Sequence, residues 1–359
     1  MTSRRQTWLT AAVLSAAALL RFFVDNVTEF SPADETVYLR YVQLLTGGGH
    51  YRDLVRMFLG DRGMWIFPNP LRWSYLGAAA LLSWVTQQCS YSTLALLSTL
   101  AGIACVALAY DIGRRLFDEN TALFAAAMMA TSPLQLAMGR RALADEFFCA
   151  MILASIAAML AFRGAWPWII VTTLAFGAKE QFLFAYPFVL LFWWLRERRL
   201  RWEWLLPPAL FYGVFCLLAR DLHSFFDVGR VITSVMNAPY ADQYQNGPPH
   251  RLLIDLMIVA PLVTSAFLIA ARARRREPLV ILAAGILIVH SLISSKNLRY
   301  VIGVDPLMRL VVASAFPRRT FLIVNAIVEL ALFFVIFVSG EVYDPVTVDL
   351  LRALHMIPR

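Results

Sequence analysis

Long apolar runs separated by short polar connections set the rhythm of the chain. The first extends from about Trp8 to Val24, and others lie near 71–87, 92–112, 120–138, 146–162, 165–178, 181–195, 203–219, 252–271, 278–294, 300–315 and 319–338. Many approach the roughly 20 residues that a helix needs to cross a bilayer, and several fall short. The stretch 36–46 instead mixes apolar and polar positions as an amphipathic helix does, and Asp34 and Glu35 stand at its start, where the helix dipole favours acids. The pattern predicts an all-α fold: a polytopic transmembrane helical bundle with amphipathic juxtamembrane helices in its first outer loop. Residues 1–338 form one domain, 26–90 its first outer loop, and 339–359 a short outer C-terminal tail.

Composition fixes the solvent. The 359 residues are 60% hydrophobic and only 16% charged, well below the roughly 25% of a soluble domain, and the mean hydropathy is +0.64. This is the composition of an integral membrane protein. The net charge of +8 does not indicate nucleic acid as a partner, because the arginines sit in short clusters between apolar runs, as in cytoplasmic loops. Cys89, Cys105, Cys149 and Cys216 lack metal or disulfide spacing and read as packing residues. Arg4 and Arg5 precede the first run, which lacks a small-residue cleavage site, so it reads as a retained helix with a cytoplasmic N-terminus.

Charge then orients the rest. The dense clusters are Arg114 with Arg115, "RERRLR" at 196–201, "RARRR" at 272–276, and Arg318 with Arg319. If 71–87 crossed the membrane, these clusters would all lie outside, against the positive-inside rule. Keeping that run in the interface, or letting it enter the bilayer only partway, places every cluster inside and leaves about eleven crossings.

The same assignment places residues 26–70, "GRRALADE" (139–146), "KEQ" (179–181), the loop 220–251 and "SSKNLRY" (294–300) on the outer side. Arg140, Arg141, Lys179, Lys296 and Arg299 thus oppose the charge bias in short outer connections. Basic residues near helix ends also snorkel to lipid phosphates. Here, however, acids at 34, 35, 145 and 146 share the compartment. Carboxylates that activate a hydroxyl, beside cations that hold a phosphate leaving group, suit transfer of a group from a lipid phosphate. The five histidines show no metal-ligand spacing. "GGG" at 47–49 lacks the context of a phosphate loop and reads as a flexible turn between surface helices. "NAPYADQYQNGPPH" (237–250) reads either as a wall of an acceptor or sugar cleft or as an ordinary surface loop.

These pieces resemble a known family in their order. "ADETVYLRYVQLLTGGGHYRDL", "NPLRWSYLGAAALL", "AYDIGRRLFDENTALFAAAMMATSPLQLAMGRRALADEFF", "LAFGAKEQFLFAYPF" and "NLRYVIGVDPLM" together resemble the GT-C membrane glycosyltransferases, in the branch of protein O-mannosyltransferases and the lipid A aminoarabinose transferase. The resemblance spans most of residues 1–310. It implies a GT-C type bundle that moves a sugar from a polyprenyl-phosphate carrier to an acceptor hydroxyl at the non-cytoplasmic face, in a bacterial inner membrane with the site facing the periplasm.

Carried over by residue, the resemblance makes Asp34 the general base, with Glu35 beside it and Asp145 as the second outer-loop acid. Lys179 and Arg299 match positions that contact the carrier phosphate, with Arg140 or Arg141 nearby; Lys296 and Tyr300 belong to the same late segment. Inversion at the sugar carbon is implied. The nearer relatives imply no required metal or other cofactor, whereas more distant ones use a divalent ion. Partners are the polyprenyl-phosphate-linked sugar, membrane lipids and an acceptor that is a glycolipid, a polysaccharide or a protein. Two positions depart from the family pattern: Asn69-Pro70 replaces Pro-Pro, and Asp305 precedes Pro306 where relatives often carry proline. With the chain stopping soon after its last apolar run, acceptor recognition falls to loops. The competing class is a lipid or sugar transporter or flippase that cleaves no bond.

Overall fold

The computed structural model describes residues 3–24, 34–199, 201–235, 247–293 and 296–338. The C-terminal tail at 339–359 and most of the turn-rich stretch at 237–250 lie outside the described residues. The rest is helical, with no strand among the described residues.

The first apolar run forms α1 (Ser3–Phe23), and the amphipathic stretch forms α2 (Asp34–Thr46) and α3 (Tyr51–Gly60). The glycine run joins α2 to α3 as a turn, with Gly48 at φ +89°, in the left-handed region where a side chain is disfavoured. Next comes α4 (Trp73–Thr86), whose 14 residues reach about 21 Å, short of the hydrocarbon core. Its start is seated on the end of a later helix, since Ser74 donates to the Leu174 carbonyl at 2.7 Å. Its Tyr75 meets Tyr38 of α2 edge-on at 4.9 Å.

The centre is built from α5 (Tyr91–Leu116), α6 (Glu119–Ala130), α7 (Pro133–Gly139), α8 (Asp145–Ala161) and α9 (Ala165–Ala178). The side chains of Ser90 and Asp118 accept from the Thr93 and Thr121 amides, capping α5 and α6. The run 120–138 is broken by 57° between α6 and α7. Proline at the first position of α7 follows Ser132, which caps it; a proline there restarts a helix but cannot continue one.

The remaining helices are α10 (Phe182–Glu197), α11 (Leu206–Ala219), α12 (Ser224–Val235), α13 (Arg251–Val259), α14 (Pro261–Ala273), α15 (Pro278–Leu292), α16 (Val304–Ala315) and α17 (Arg319–Leu332). A buried charge network fastens the last two to the α6–α7 break. Arg309 bonds Asp305 at 3.0 Å, Glu329 at 2.7 Å and the Met128 carbonyl at 2.7 Å. Ser132 donates to the other Asp305 oxygen at 2.8 Å. Thus Asp305, anomalous in the sequence, is a partner of Arg309.

Among the described residues, three helical segments are long and apolar enough to cross a membrane: 91–116, 202–219 and 319–338. The bent pair α6–α7 makes a fourth if it counts as one span. Length and apolarity alone thus qualify three or four spans, and Trp8–Phe23, Ala165–Ala178, Pro261–Ala273 and Pro278–Leu292 are apolar helical stretches below that length. Large apolar side chains such as Phe23, Trp84, Leu217, Leu292 and Ile327 point outward and are exposed, the surface that hydrocarbon accepts and water does not.

Candidate active site

Four connections deliver charged side chains to one place. Asp34 and Glu35 open α2. The turn 140–144 is drawn against α5 by Thr99, which donates to the Gly139 carbonyl at 2.9 Å, and by Ser98, which donates to the Leu143 carbonyl at 3.0 Å. Both bonds satisfy backbone acceptors that a buried bend leaves open, and the turn ends on Asp145 at the start of α8. Lys179 ends α9 in extended conformation (φ −160°, ψ 132°). Arg299 lies in a 3₁₀ turn at Leu298–Val301, whose first amides are oriented by the Asn297 side chain accepting from Arg299 N at 2.9 Å.

These groups meet as ion pairs. Lys179 Nζ lies 2.6 Å from Asp145 Oδ1, and Arg299 Nη1 lies 3.2 Å from Asp34 Oδ2 and 4.0 Å from Asp145 Oδ2. Arg141 Nε bonds Glu35 Oε1 at 2.6 Å. The Tyr300 ring takes the Lys179 ammonium on its face at 5.4 Å. Exposure separates the acids: the side chain of Asp34 is 24% exposed, whereas those of Glu35 and Asp145 are 3% exposed. Burial pushes the Glu35 carboxyl up, against the hydrogen bond and charge of Arg141. Burial likewise lowers Lys179, against the attraction of Asp145.

Two further residues brace this cluster. Arg72, just before α4, forks onto Glu180 through Nε–Oε2 at 2.8 Å and Nη2–Oε1 at 2.6 Å, and its Nη1 donates to the Tyr38 hydroxyl. Burial pushes Glu180 up, but Arg72 outweighs it and holds the carboxyl down at about 2. Sequence reasoning singled out neither residue. The signal was present: Arg72 is another cation in the first outer loop, and Glu180 is the acid beside Lys179.

Two predicted site residues make other contacts. The Arg140 guanidinium covers the Phe333 ring at 5.7 Å, and its neighbour Arg141 bonds Glu35. Lys296 donates to the Ile293 carbonyl at the end of α15. Asp145 lies in the first turn of α8 as its sequence position suggests, and its carboxylate bonds Lys179. His290 bonds the Ile286 carbonyl at 2.8 Å, and no group of three potential metal ligands occurs among the described residues.

Among solved structures, the fold resembles ArnT from Cupriavidus metallidurans. For its apo state the TM-score is 0.58, with 18% identity, covering 89% of this chain and 60% of that one. For its form bound to undecaprenyl phosphate the values are 0.56, 18%, 88% and 61%. The oligosaccharyltransferase AglB from Archaeoglobus fulgidus, in complex with an inhibitory peptide and a dolichol-phosphate, gives a TM-score of 0.57 at 12% identity over 96% of this chain and 57% of that one. The chain therefore spans about three fifths of the length of these structures. No curated protein sequence matches it. A family model described as dolichyl-phosphate-mannose-protein mannosyltransferase matches residues 8–231, from α1 into α12, and so includes Asp34, Glu35, Arg72, Arg141, Asp145 and Lys179. With more than half its length under that match, the chain belongs to the dolichyl-phosphate-mannose-protein mannosyltransferase family.

Proposed function

We propose that the protein is a glycosyltransferase that moves a sugar from a polyprenyl-phosphate carrier to an acceptor hydroxyl, at the non-cytoplasmic face of its membrane. The observation that carries this reading is the junction of Asp34, Asp145, Lys179 and Arg299. Two acids and two cations from four separate connections are linked in a chain of ion pairs, Lys179 to Asp145 and Arg299 to both Asp145 and Asp34. Family membership supplies the class of chemistry. The neighbours solved with undecaprenyl phosphate and dolichol-phosphate support a polyprenyl phosphate as the lipid. Under this reading the shorter apolar runs other than 71–87 also cross, with the bilayer thinned around them and flanking residues snorkelling, and complete the bundle.

In the reaction, the acceptor oxygen attacks the sugar C1 as the bond from C1 to the phosphate oxygen breaks. The hydroxyl proton passes to a carboxylate, and the polyprenyl phosphate departs with the bonding electrons. Asp34 is the acid placed for the proton, because it is the one open enough to meet an acceptor. Attack opposite the leaving group inverts C1. Lys179 and Arg299 are the cations placed to neutralise charge growing on the phosphate, each such contact contributing on the order of 2–4 kcal/mol when preorganised. Asp145 holds both in position, and Glu35 fixes Arg141.

The test is turnover of a labelled polyprenyl-phosphate sugar by purified protein. Asp34→Asn should abolish transfer while helical content and monodispersity persist. Vectorial movement of the lipid without cleavage of its sugar bond would overturn the reading in favour of a transporter.

A further inference from the structure

Arg21 of α1 and Glu146 of α8 take no part in that chemistry, yet they are among the most deeply buried charged residues, 2% and 0% exposed. Arg21 Nη1 donates to the Ala17 carbonyl at 3.3 Å. Its Nε and Nη2 atoms, and both carboxylate oxygens of Glu146, are buried without a hydrogen bond. The two groups nevertheless face each other across Gly102 of α5. A Cβ on that glycine would lie 2.7 Å from Arg21 Nε and 2.9 Å from Glu146 Oε1, so these atoms are no farther apart than the two distances combined.

The space at Gly102 is thus bordered on one side by the Arg21 Nε–H donor and on the other by the Glu146 Oε1 acceptor. Buried charged groups left with most of their hydrogen-bonding atoms unmatched are costly. One water molecule supplies two donors and two acceptors and is held inside proteins where two to four polar groups converge. A β-carbon in that space would exclude it. The position ties three helices together beneath the site. Glu146 follows Asp145 in the first turn of α8, and Arg21 Nε lies 4.0 Å from the Cβ position of Gly139, where the turn carrying Arg141 begins.

We propose that Gly102 keeps open an internal water-binding site that bridges Arg21 to Glu146, and that this hydrated pair positions the 140–146 turn. The second half rests on the transfer reaction proposed above; the first does not. Gly102→Ala puts a methyl group in the gap, removing the water and giving neither partner a bond. Gly102→Ser adds a hydroxyl that can donate to Glu146 and accept from Arg21.

The water site therefore predicts that serine, although larger, is the milder change. Turnover per folded protein should fall about tenfold or more in Gly102→Ala and stay within about threefold of the parent in Gly102→Ser, the difference expected from losing bonds to charged groups. Thermal unfolding in detergent should rank parent, then Ser, then Ala, and a map that resolves ordered water should show one between Arg21 Nε and Glu146 Oε1. If Ser unfolds as early as Ala or earlier, or if Arg21 and Glu146 contact each other directly with no water, the site is refuted whatever the activity. If the unfolding order holds but turnover per folded protein is equal in the two variants, positioning is refuted and the water site stands. Loss of the transfer reading itself would show separately, in the Asp34→Asn assay.

Discussion

Replacing Arg72 by methionine removes a guanidinium that makes two bonds to Glu180, at 2.8 and 2.6 Å, and one to Tyr38. The side chains of Arg72 and Glu180 are only 12% and 18% exposed, so water replaces little of what is lost. Stranding one member of a fully buried pair costs about 3–5 kcal/mol; the remaining exposure lets Glu180 recover part of its solvation, leaving about 2–4 kcal/mol. Glu180→Gln keeps one acceptor oxygen and should cost about 1–2 kcal/mol. The double variant Arg72→Met with Glu180→Leu leaves no stranded charge, so its loss should undercut the sum of Arg72→Met and Glu180→Leu by about 1.5 kcal/mol or more. Equilibrium unfolding in a mild detergent measures all of these. A coupling below about 0.5 kcal/mol, the range of independent sites, would refute the claim that this fork braces the site. Because Glu180 is the immediate neighbour of Lys179, transfer should fall in the single variants as well.

Further outcomes follow from the same contacts. Glu180 has a folded value of about 2 against an ordinary 4.5, so its contribution to stability is complete above about 4.5 and disappears as pH falls from there toward 2; acid unfolding of Glu180→Gln should lack that component. Lys179→Met should weaken binding of a polyprenyl phosphate in a direct titration more than Lys179→Arg, because only the latter retains a cation for the phosphate. Arg309→Leu leaves Asp305 and Glu329 buried without their cation and should lower stability by about 3–5 kcal/mol, read by thermal unfolding, whereas Tyr38→Phe should cost about 1 kcal/mol.

The helices were legible because a bilayer demands contiguous apolar sequence. The run 146–162 is α8 at Asp145–Ala161, and 165–178 is α9 at Ala165–Ala178. Breaks within runs were harder to see. Hydropathy continues unbroken through Ser132-Pro133, where the chain turns by 57°, and through Ala260-Pro261, where one run becomes two helices. At the site, the residue types were visible as charges that violate the loop bias. Their pairing was not, since Glu35 with Arg141 and Arg72 with Glu180 join segments more than 100 residues apart in sequence. Arg140 and Arg141 are indistinguishable by composition, and only the bend between α7 and α8 sends one toward Glu35 and the other toward Phe333.

Arg299 reaches Asp34 across a separation of 265 residues. Synthesis from the N-terminus therefore installs the acid long before its basic counterpart exists. The junction of charges is closed by one of the last turns to enter the bundle, so the cluster is completed late and all at once. A chain halted before the 3₁₀ turn at Leu298–Val301 would carry every acid of the cluster while lacking the group that joins Asp34 to Asp145.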